Sequence, residues 1–303
     1  MEPLNREASD EQKAQMIGQI KNSKAYSLAY EDMRFLNKRE LRPVRLQLEL
    51  LKPEMILREH RIRSTIVVFG SARILSPEGA RKNLIAAQNE LKASPRNPES
   101  IKKFNFAKMR LRQSRYYAET QKFAALISKA QQKDKGLEFV IVTGGGPGIM
   151  EAANRGAWET GSKSIGLNIT LPHEQDPNPY LTPDLSFQFH YFSLRKMHFM
   201  MRAKAMVAFP GGYGTFDELF EALTLVQTGK KSLLPIVLFG REFWERVIDW
   251  DFLADQGLIS WTERRLFYIA ETAEEGWAYI QSFWNKSGRG PWALEDKKKK
   301  SGK

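Results

Sequence analysis

Three glycine-bearing loops follow apolar runs of the chain and are the segments best suited to chemistry. They span residues 69–73 (FGSAR), 143–151 (TGGGPGIME) and 209–218 (FPGGYGTFDE). Glycine lets the backbone turn tightly and approach a ligand closely. The second and third loops run directly into helical patterns, and a helix N-terminus offers free N–H groups and a positive dipole to an anion. Taken alone, each loop therefore indicates either a phosphate-binding site or only a tight turn.

Two familiar nucleotide motifs are missing from the sequence. Residues 144–149 lack the last glycine of G-x-G-x-x-G, and residues 168–170 (NIT), which end the next apolar run, lack the acidic residue that holds a ribose. Residues 229–232 (GKKS) lack the upstream glycine of a P-loop. The sequence therefore disfavours a dinucleotide-dependent oxidoreductase and a P-loop NTPase.

One combination of motifs resembles a known family. Residues 210–218 (PGGYGTFDE) are similar to the PGGxGTxxE motif of the Lonely Guy (LOG) family, whose members are often labelled "possible lysine decarboxylase". Arg195, 23 residues before Glu218, begins an Arg-Lys pair at the spacing that this family uses. Residues 144–150 (GGGPGIM) resemble the family's first loop. The resemblance covers about residues 64–280, and residues 195–204 (RKMHFMMRAK) look like its longer bacterial branch.

The resemblance implies a phosphoribohydrolase. Such an enzyme hydrolyses the N-glycosidic bond of a nucleoside 5′-monophosphate and releases the free base and ribose 5-phosphate. It needs no redox cofactor. We find no lysine constellation typical of a pyridoxal enzyme, so we expect no cofactor. The sequence has no Cys, and none of its four His forms an HExxH pair, so we expect no metal site.

Glu218 and Arg195 are the catalytic residues that the resemblance implies. Cleavage develops oxocarbenium charge on the ribose and negative charge on the departing base. Glu218 would stabilise the positive charge on the ribose and would orient or deprotonate water. Arg195 would hold the nucleotide or stabilise the negative charge on the departing base. The residues expected to bind substrate or its phosphate are Gly70, Ser71, Gly144, Gly145, Gly146, Gly148, Glu174, Lys196, Gly211, Gly212, Tyr213, Gly214, Thr215 and Thr224.

Glu218 also has a purely structural interpretation. Residues 215–218 (TFDE) match a capping box, in which Thr215 caps a helix and Glu218 reaches back to the cap N–H. Asp217 would lie about 100° around the helix from Glu218, and we expect it to complement the helix dipole. Lys196 is either a phosphate contact or a solvated charge.

The elements that must position these residues indicate an α/β fold. Five continuous apolar runs, typical of strands buried on both faces, cover residues 64–70, 139–144, 164–169, 205–210 and 234–240. Residues 104–132 predict a long amphipathic helix, residues 77–103 a helical excursion, and residues 242–284 an aromatic-rich helical region. We expect a doubly wound, Rossmann-like, mainly parallel sheet with helices on both faces.

The expected organisation is a helical N-terminal extension (1–60), the nucleotide-hydrolase domain (61–285) and a basic tail (286–303). The 303 residues include no Cys, which excludes disulfides and thiol nucleophiles. No apolar run reaches the roughly 20 residues of a membrane span, so we expect a cytoplasmic protein that contacts no membrane. The tail holds seven of the Lys and Arg residues against two acidic ones, a net +5 of the chain's +12.

Three functions are ranked in this order. The first is hydrolysis of a nucleoside 5′-monophosphate, AMP or a cytokinin-type riboside monophosphate. The alternative is a nucleotide-binding sensor or carrier that does not cleave its ligand. The last is association with nucleic acid through the tail, so nucleic acid is not an expected partner. The family resemblance implies a homodimer.

Overall fold

The computed structural model describes residues 8–132, 137–171 and 176–287. Glu174 and most of the basic tail lie outside these residues. The chain divides into two compact units, Met1–Leu51 and Lys52–Lys303.

The larger unit contains a parallel sheet. Its described residues form seven strands: β1 (Thr65–Phe69), β2 (Val140–Thr143), β3 (Ser164–Ile169), β4 (Ser186–Phe189), β5 (Ala203–Ala208), β6 (Ile236–Phe239) and β7 (Phe267–Ala270). They lie in the order β4-β3-β2-β1-β5-β6-β7, and every neighbouring pair is parallel. The doubly wound α/β fold expected from the sequence is therefore confirmed.

The five predicted strands are β1, β2, β3, β5 and β6, and the residues of each are wholly or largely buried. The two edge strands are not predicted from the sequence. β7 lies inside the region 242–284 that the sequence predicts to be helical throughout, and that prediction is wrong there. Both edge strands are four residues long and include exposed or half-buried positions, so neither gives a continuous apolar run.

Helices cover both faces of the sheet and precede it. They are α1 (Asp10–Lys21), α2 (Met33–Leu36), α3 (Arg42–Glu59), α4 (Pro77–Ala93), α5 (Pro98–Gln131), α6 (Ile149–Glu159), α7 (Phe192–Met201), α8 (Tyr213–Gln227), α9 (Arg241–Val247), α10 (Trp250–Asp255) and α11 (Ala273–Ser287). The long helix predicted over 104–132 is confirmed as α5. The excursion over 77–103 is α4, a short connection and the start of α5.

Aromatic side chains fill the core on the β6 side of the sheet. Phe209 stacks on Phe239 with ring centroids 4.3 Å apart, and Phe123 of α5 meets Phe239 edge-on at 5.5 Å. Trp244 is fully buried, and its indole N–H donates to the Phe239 carbonyl. Most of the tryptophans and phenylalanines after residue 240 are thus packing residues, as aromatics at helical spacing usually are.

The smaller unit has little interior of its own. In its described residues, α1 and α2 bury no side chain, and Met16, Ile17 and Ile20 of α1 are each more than half exposed. α1 begins with a capping box formed by Ser9 and Gln12. Among the described residues of the whole chain, we find no helix long and apolar enough to cross a bilayer.

Gly156 of α6 permits the close packing of α6 on α5. A Cβ at this position would lie 2.1 Å from the Gln121 carbonyl oxygen of α5.

We predict that Gly156→Ala destabilises the fold by about 1–3 kcal/mol, because the backbone carbonyl of Gln121 cannot rotate away from the added methyl group. Thermal and urea unfolding measure the loss. Gly18→Ala in α1 is the matched control, since nothing lies within 4 Å of its Cβ position. An equal melting temperature for Gly156→Ala and wild type would contradict this account of the packing.

Candidate active site

A cleft of about 730 Å³ opens at the carboxyl ends of β1, β2 and β5. The strand order reverses at β1: β2, β3 and β4 extend the sheet on one side, and the chain then returns to place β5 on the other. Ligands of open α/β sheets bind in the crevice at such a switch point. The three glycine-bearing loops of the sequence analysis all reach this cleft.

The structure brings most of the predicted site residues together. The predicted residues that line the cleft are Gly70, Ser71, Gly144, Gly146, Arg195, Gly211, Gly212, Tyr213, Gly214, Thr215 and Glu218. Four others do not line it: Gly145, Gly148, Lys196 and Thr224. Thr224 lies farther along α8, and its hydroxyl donates to the Phe220 carbonyl one turn earlier.

Gly145 and Gly148 shape the second loop rather than line the cleft. Both have a positive φ, +74° and +71°, which suits glycine. A Cβ on Gly148 would lie 2.4 Å from the Ser71 carbonyl oxygen, and the Ile149 amide donates to that same oxygen. The first two loops are therefore held against each other by backbone contacts.

A buried amide supports the same loop. The Asn178 side chain donates to the carbonyl oxygens of Gly145 and Gly146, and the Asn178 backbone amide donates to the Gly145 carbonyl at 2.8 Å. The same side chain also reaches the Asn154 carboxamide, which accepts from the Thr143 hydroxyl. This support is not predicted from the sequence, because an Asn in a loop far along the chain carries no local signal.

The third loop leads into α8, whose N-terminus faces the cleft. The cap residue is Gly212, and no side chain caps the helix. The capping-box interpretation of residues 215–218 is therefore wrong: the helix begins two residues before Thr215, and Glu218 lies in its second turn. Because no side chain occupies the first-turn amides, they can serve an anion bound beside Gly211–Thr215.

Arg195 of α7 is held in place by the backbone of β3. Its Nε donates to the Leu167 carbonyl at 2.7 Å, and its Nη1 lies 3.9 Å from Glu218 Oε1. The guanidinium passes over Gly144, where a Cβ would lie 2.5 Å from Nη2. A side chain at Gly144 would therefore displace the guanidinium of Arg195 from this position.

Glu218 is a buried carboxyl next to that guanidinium. Its side chain is 13% exposed. Burial raises the pKa of Glu218 from its ordinary value of 4.5 to about 7, although Arg195 acts in the opposite direction. Burial also lowers the pKa of Arg195, and Glu218 opposes that shift. Such a carboxyl changes its charge near neutral pH, as a residue that handles protons in catalysis should.

Lys196 ties α7 to α8 outside the cleft. Its Nζ lies 2.9 Å from Asp217 Oδ1 and 3.0 Å from Glu221 Oε2. Asp217 lies outside the first turn of α8, so the dipole role expected for it is not what the structure displays. The two ion pairs instead fix the helices that carry Arg195 and Glu218.

Other residues that line the cleft are not predicted from the sequence. They include Arg73 of the first loop, Gln113 of α5, Asn168 near the end of β3 and Phe243 of α9. Arg73 and Asn168 belong to or adjoin strand-end segments, so the strand-end rule gives a signal for them. Gln113 and Phe243 come from helices whose approach to the cleft depends on tertiary packing, and no local pattern marks them.

The motifs of this cleft match those of a described family. The family model described as "Possible lysine decarboxylase" matches residues 150–280, which include Arg195, Glu218 and the whole third loop. Over this segment the chain resembles the Lonely Guy family. The structure places this family's Arg-Lys and PGGxGTxxE motifs on α7 and at the start of α8.

Plant members of the Lonely Guy family are among its relatives. The cytokinin riboside 5′-monophosphate phosphoribohydrolase LOG2 of Arabidopsis thaliana is 28% identical over 156 residues, which cover 50% of this chain and 71% of the relative. The cytokinin riboside 5′-monophosphate phosphoribohydrolase LOG of Oryza sativa subsp. japonica is 30% identical over 147 residues, which cover 47% of this chain and 58% of the relative.

Two solved structures are also similar to the chain. The molybdenum cofactor binding protein of Rippkaea orientalis is 19% identical, with a TM-score of 0.40 over 55% of this chain and 87% of that one. The Moco carrier protein of Chlamydomonas reinhardtii is 18% identical, with a TM-score of 0.42 over 74% of this chain and 99% of that one.

The raised pKa of Glu218 has a consequence for stability. The native state binds a proton at this carboxyl up to about pH 7, whereas the unfolded state releases it near 4.5. The free energy of unfolding therefore falls as pH rises through this window. We predict that Glu218→Gln, which carries no ionisable group, gains about 3 kcal/mol relative to wild type between pH 4.5 and 8.

Urea unfolding of both proteins across this pH range measures the effect. Asp255→Asn is the matched control, since Asp255 is an exposed carboxylate on α10 that does not line the cleft. A difference between Glu218→Gln and wild type that does not change with pH would show that the carboxyl titrates at its ordinary value.

Proposed function

We propose that this chain hydrolyses the N-glycosidic bond of a nucleoside 5′-monophosphate, with AMP or a cytokinin-type riboside monophosphate as substrate. The observation that carries the proposal is the buried pair of Arg195 and Glu218, 3.9 Å apart in the cleft where the uncapped start of α8 lies. The names of the plant relatives support the same reaction class.

The site supplies a place for each part of such a substrate. The 5′-phosphate binds the backbone amides at the start of α8, where Gly212 and Gly214 leave open space. Glu218 lies in the next turn of the same helix, which brings the ribose beside its carboxylate. Apolar residues at the β3 end of the cleft, including Leu171 and Phe192, offer a surface for the base.

The reaction then follows from the charges. The bond between C1′ and the base nitrogen breaks, and its electron pair leaves with the base. Ionised Glu218 stabilises the positive charge on the ribose and accepts a proton from the water that attacks C1′. Arg195 stabilises the negative charge on the base, which takes up a proton from solvent as it leaves. Glu218 then releases to solvent the proton that it accepted from the attacking water and is ionised again. The products are the free base and ribose 5-phosphate.

The proposal includes a homodimer. Helices α7 and α8 expose Met197, Met201 and Phe220 on the outer surface of the larger unit, each about 40% exposed or more. Apolar side chains concentrated on two neighbouring helices suit an interface between subunits.

The first test is release of base and ribose 5-phosphate from a panel of nucleoside 5′-monophosphates. We expect wild type to cleave at least one of them and Glu218→Gln to lose about 10²–10⁴-fold in kcat, because the carboxylate acts on the reacting atoms. Asp255→Asn, at an exposed carboxylate on α10 outside the cleft, is the matched control and should stay within a few-fold of wild type. If wild type binds the nucleotides but cleaves none, the chain is a nucleotide sensor or carrier instead.

The pH dependence tests the role of the same carboxyl. Because ionised Glu218 is the active form, kcat/KM should rise with pH and level off above about 7. Arg195→Met removes the nearby positive charge that favours ionisation, so the rise in its residual activity should move to higher pH. A rise centred near 4.5 in wild type, or an unmoved profile in Arg195→Met, would contradict this assignment.

A further inference from the structure

Positive charge is concentrated in a part of the chain that the proposed reaction does not use. Residues 77–115, which we call the basic arm, contain ten Lys or Arg and three Glu, a net charge of +7. The tail at 286–303 holds the other +5 of the chain's +12. All remaining residues therefore sum to zero, so the charge of the arm does not reflect a generally basic surface.

The basic arm is a two-helix hairpin. It consists of α4 and the first half of α5, joined by four residues, and α4 packs mainly on α5. Small side chains form the seam, with Ala80 and Ala87 on one helix and Ser100, Ala107 and Ser114 on the other. At 17 residues, α4 is about 25 Å long. The whole arm lies outside the matched family segment.

The cations of the arm face solvent and have few counter-charges. Nine of the ten are exposed, and among the described residues only Lys103 has a carboxylate within ion-pair distance, Glu90 at 2.8 Å. Lys108 and Arg112 are four residues apart on α5, a spacing at which like charges repel each other. A bound polyanion would relieve that repulsion.

We propose that the basic arm binds the phosphate backbone of double-helical nucleic acid. Cations distributed along about 25 Å of rigid helix match a ligand whose negative charges repeat along its length. The arm does not suit a bilayer, because its exposed apolar residues, Ile85, Ile101 and Phe106, are separated rather than joined in a stripe. This proposal is independent of the hydrolase activity.

Binding of a labelled DNA duplex of about 24 base pairs to the full-length protein tests the proposal, with fluorescence anisotropy at about 50 and 200 mM salt. The variant is Lys102→Gln/Lys108→Gln/Arg112→Gln, which changes three exposed side chains. Lys52→Gln/Lys129→Gln/Lys230→Gln is the matched control, since it removes the same charge from exposed positions outside the arm. A third protein carries Gln at Lys297, Lys298, Lys299 and Lys300, in the tail.

We expect wild type to bind the duplex at low salt. The arm variant should lose at least about tenfold in affinity, and its salt dependence should fall by about three in slope, because each backbone contact contributes about 0.9. The control and tail variants should stay within about twofold of wild type. Circular dichroism and nucleotide hydrolysis should be unchanged in the arm variant, which separates lost binding from misfolding.

Any one of four binding outcomes would overturn the proposal. They are no duplex binding at low salt, equal losses in the arm and control variants, a loss confined to the tail variant, and arm-dependent binding to phosphatidylserine vesicles in place of the duplex. If the arm variant instead lowers kcat/KM for the nucleotide and leaves duplex binding intact, the arm attracts the small substrate and the proposal is wrong.

Discussion

The buried pair of Arg195 and Glu218 is the constraint to which the surrounding structure conforms. Removing a carboxylate and a guanidinium from water is unfavourable, and attraction compensates for it only when the geometry is close and the remaining hydrogen-bonding groups are satisfied. Here the two groups are 3.9 Å apart, longer than a good hydrogen bond. The arrangement leaves the pKa of Glu218 close to neutral pH and leaves both groups facing the cleft, which suits reactivity more than stability.

Several otherwise unrelated features are explained by that pair. Gly144 has no side chain because Arg195 occupies the space, and the Leu167 carbonyl of β3 fixes the guanidinium. Outside the cleft, Lys196 joins Asp217 and Glu221 and so locks α7 to α8. Adjacent residues on each helix therefore have different roles. Arg195 and Glu218 point into the cleft. Their neighbours Lys196 and Asp217 form an ion pair between the two helices.

The central strands and the buried pair of Arg195 and Glu218 are predictable from the sequence because both have strong local signals. Strands buried on both faces give continuous apolar runs, and the spacing of the family motifs assigns Arg195 and Glu218 to one site. The edge strands β4 and β7 are not predicted, because a run of four residues with mixed burial resembles a loop or part of a helix. The capping box at Thr215 fails for another reason: Gly212 already ends the loop, and no local pattern shows which residue begins the helix. Gln113 and Asn178 reach the site only through tertiary packing.

The distribution of charge separates the parts of this protein by the kind of anion each can hold. The cleft contains few charges, and its central pair is buried and fixed by packing, which fits the proposed recognition of one small phosphorylated molecule by shape. The basic arm has the opposite character, with many exposed cations on long side chains. Exposed cations gain little from a single phosphate, because water screens them strongly. They gain much more from a ligand that engages many of them at once and releases its bound counterions. The two surfaces are therefore chemically distinct even though the same helix, α5, contributes to both.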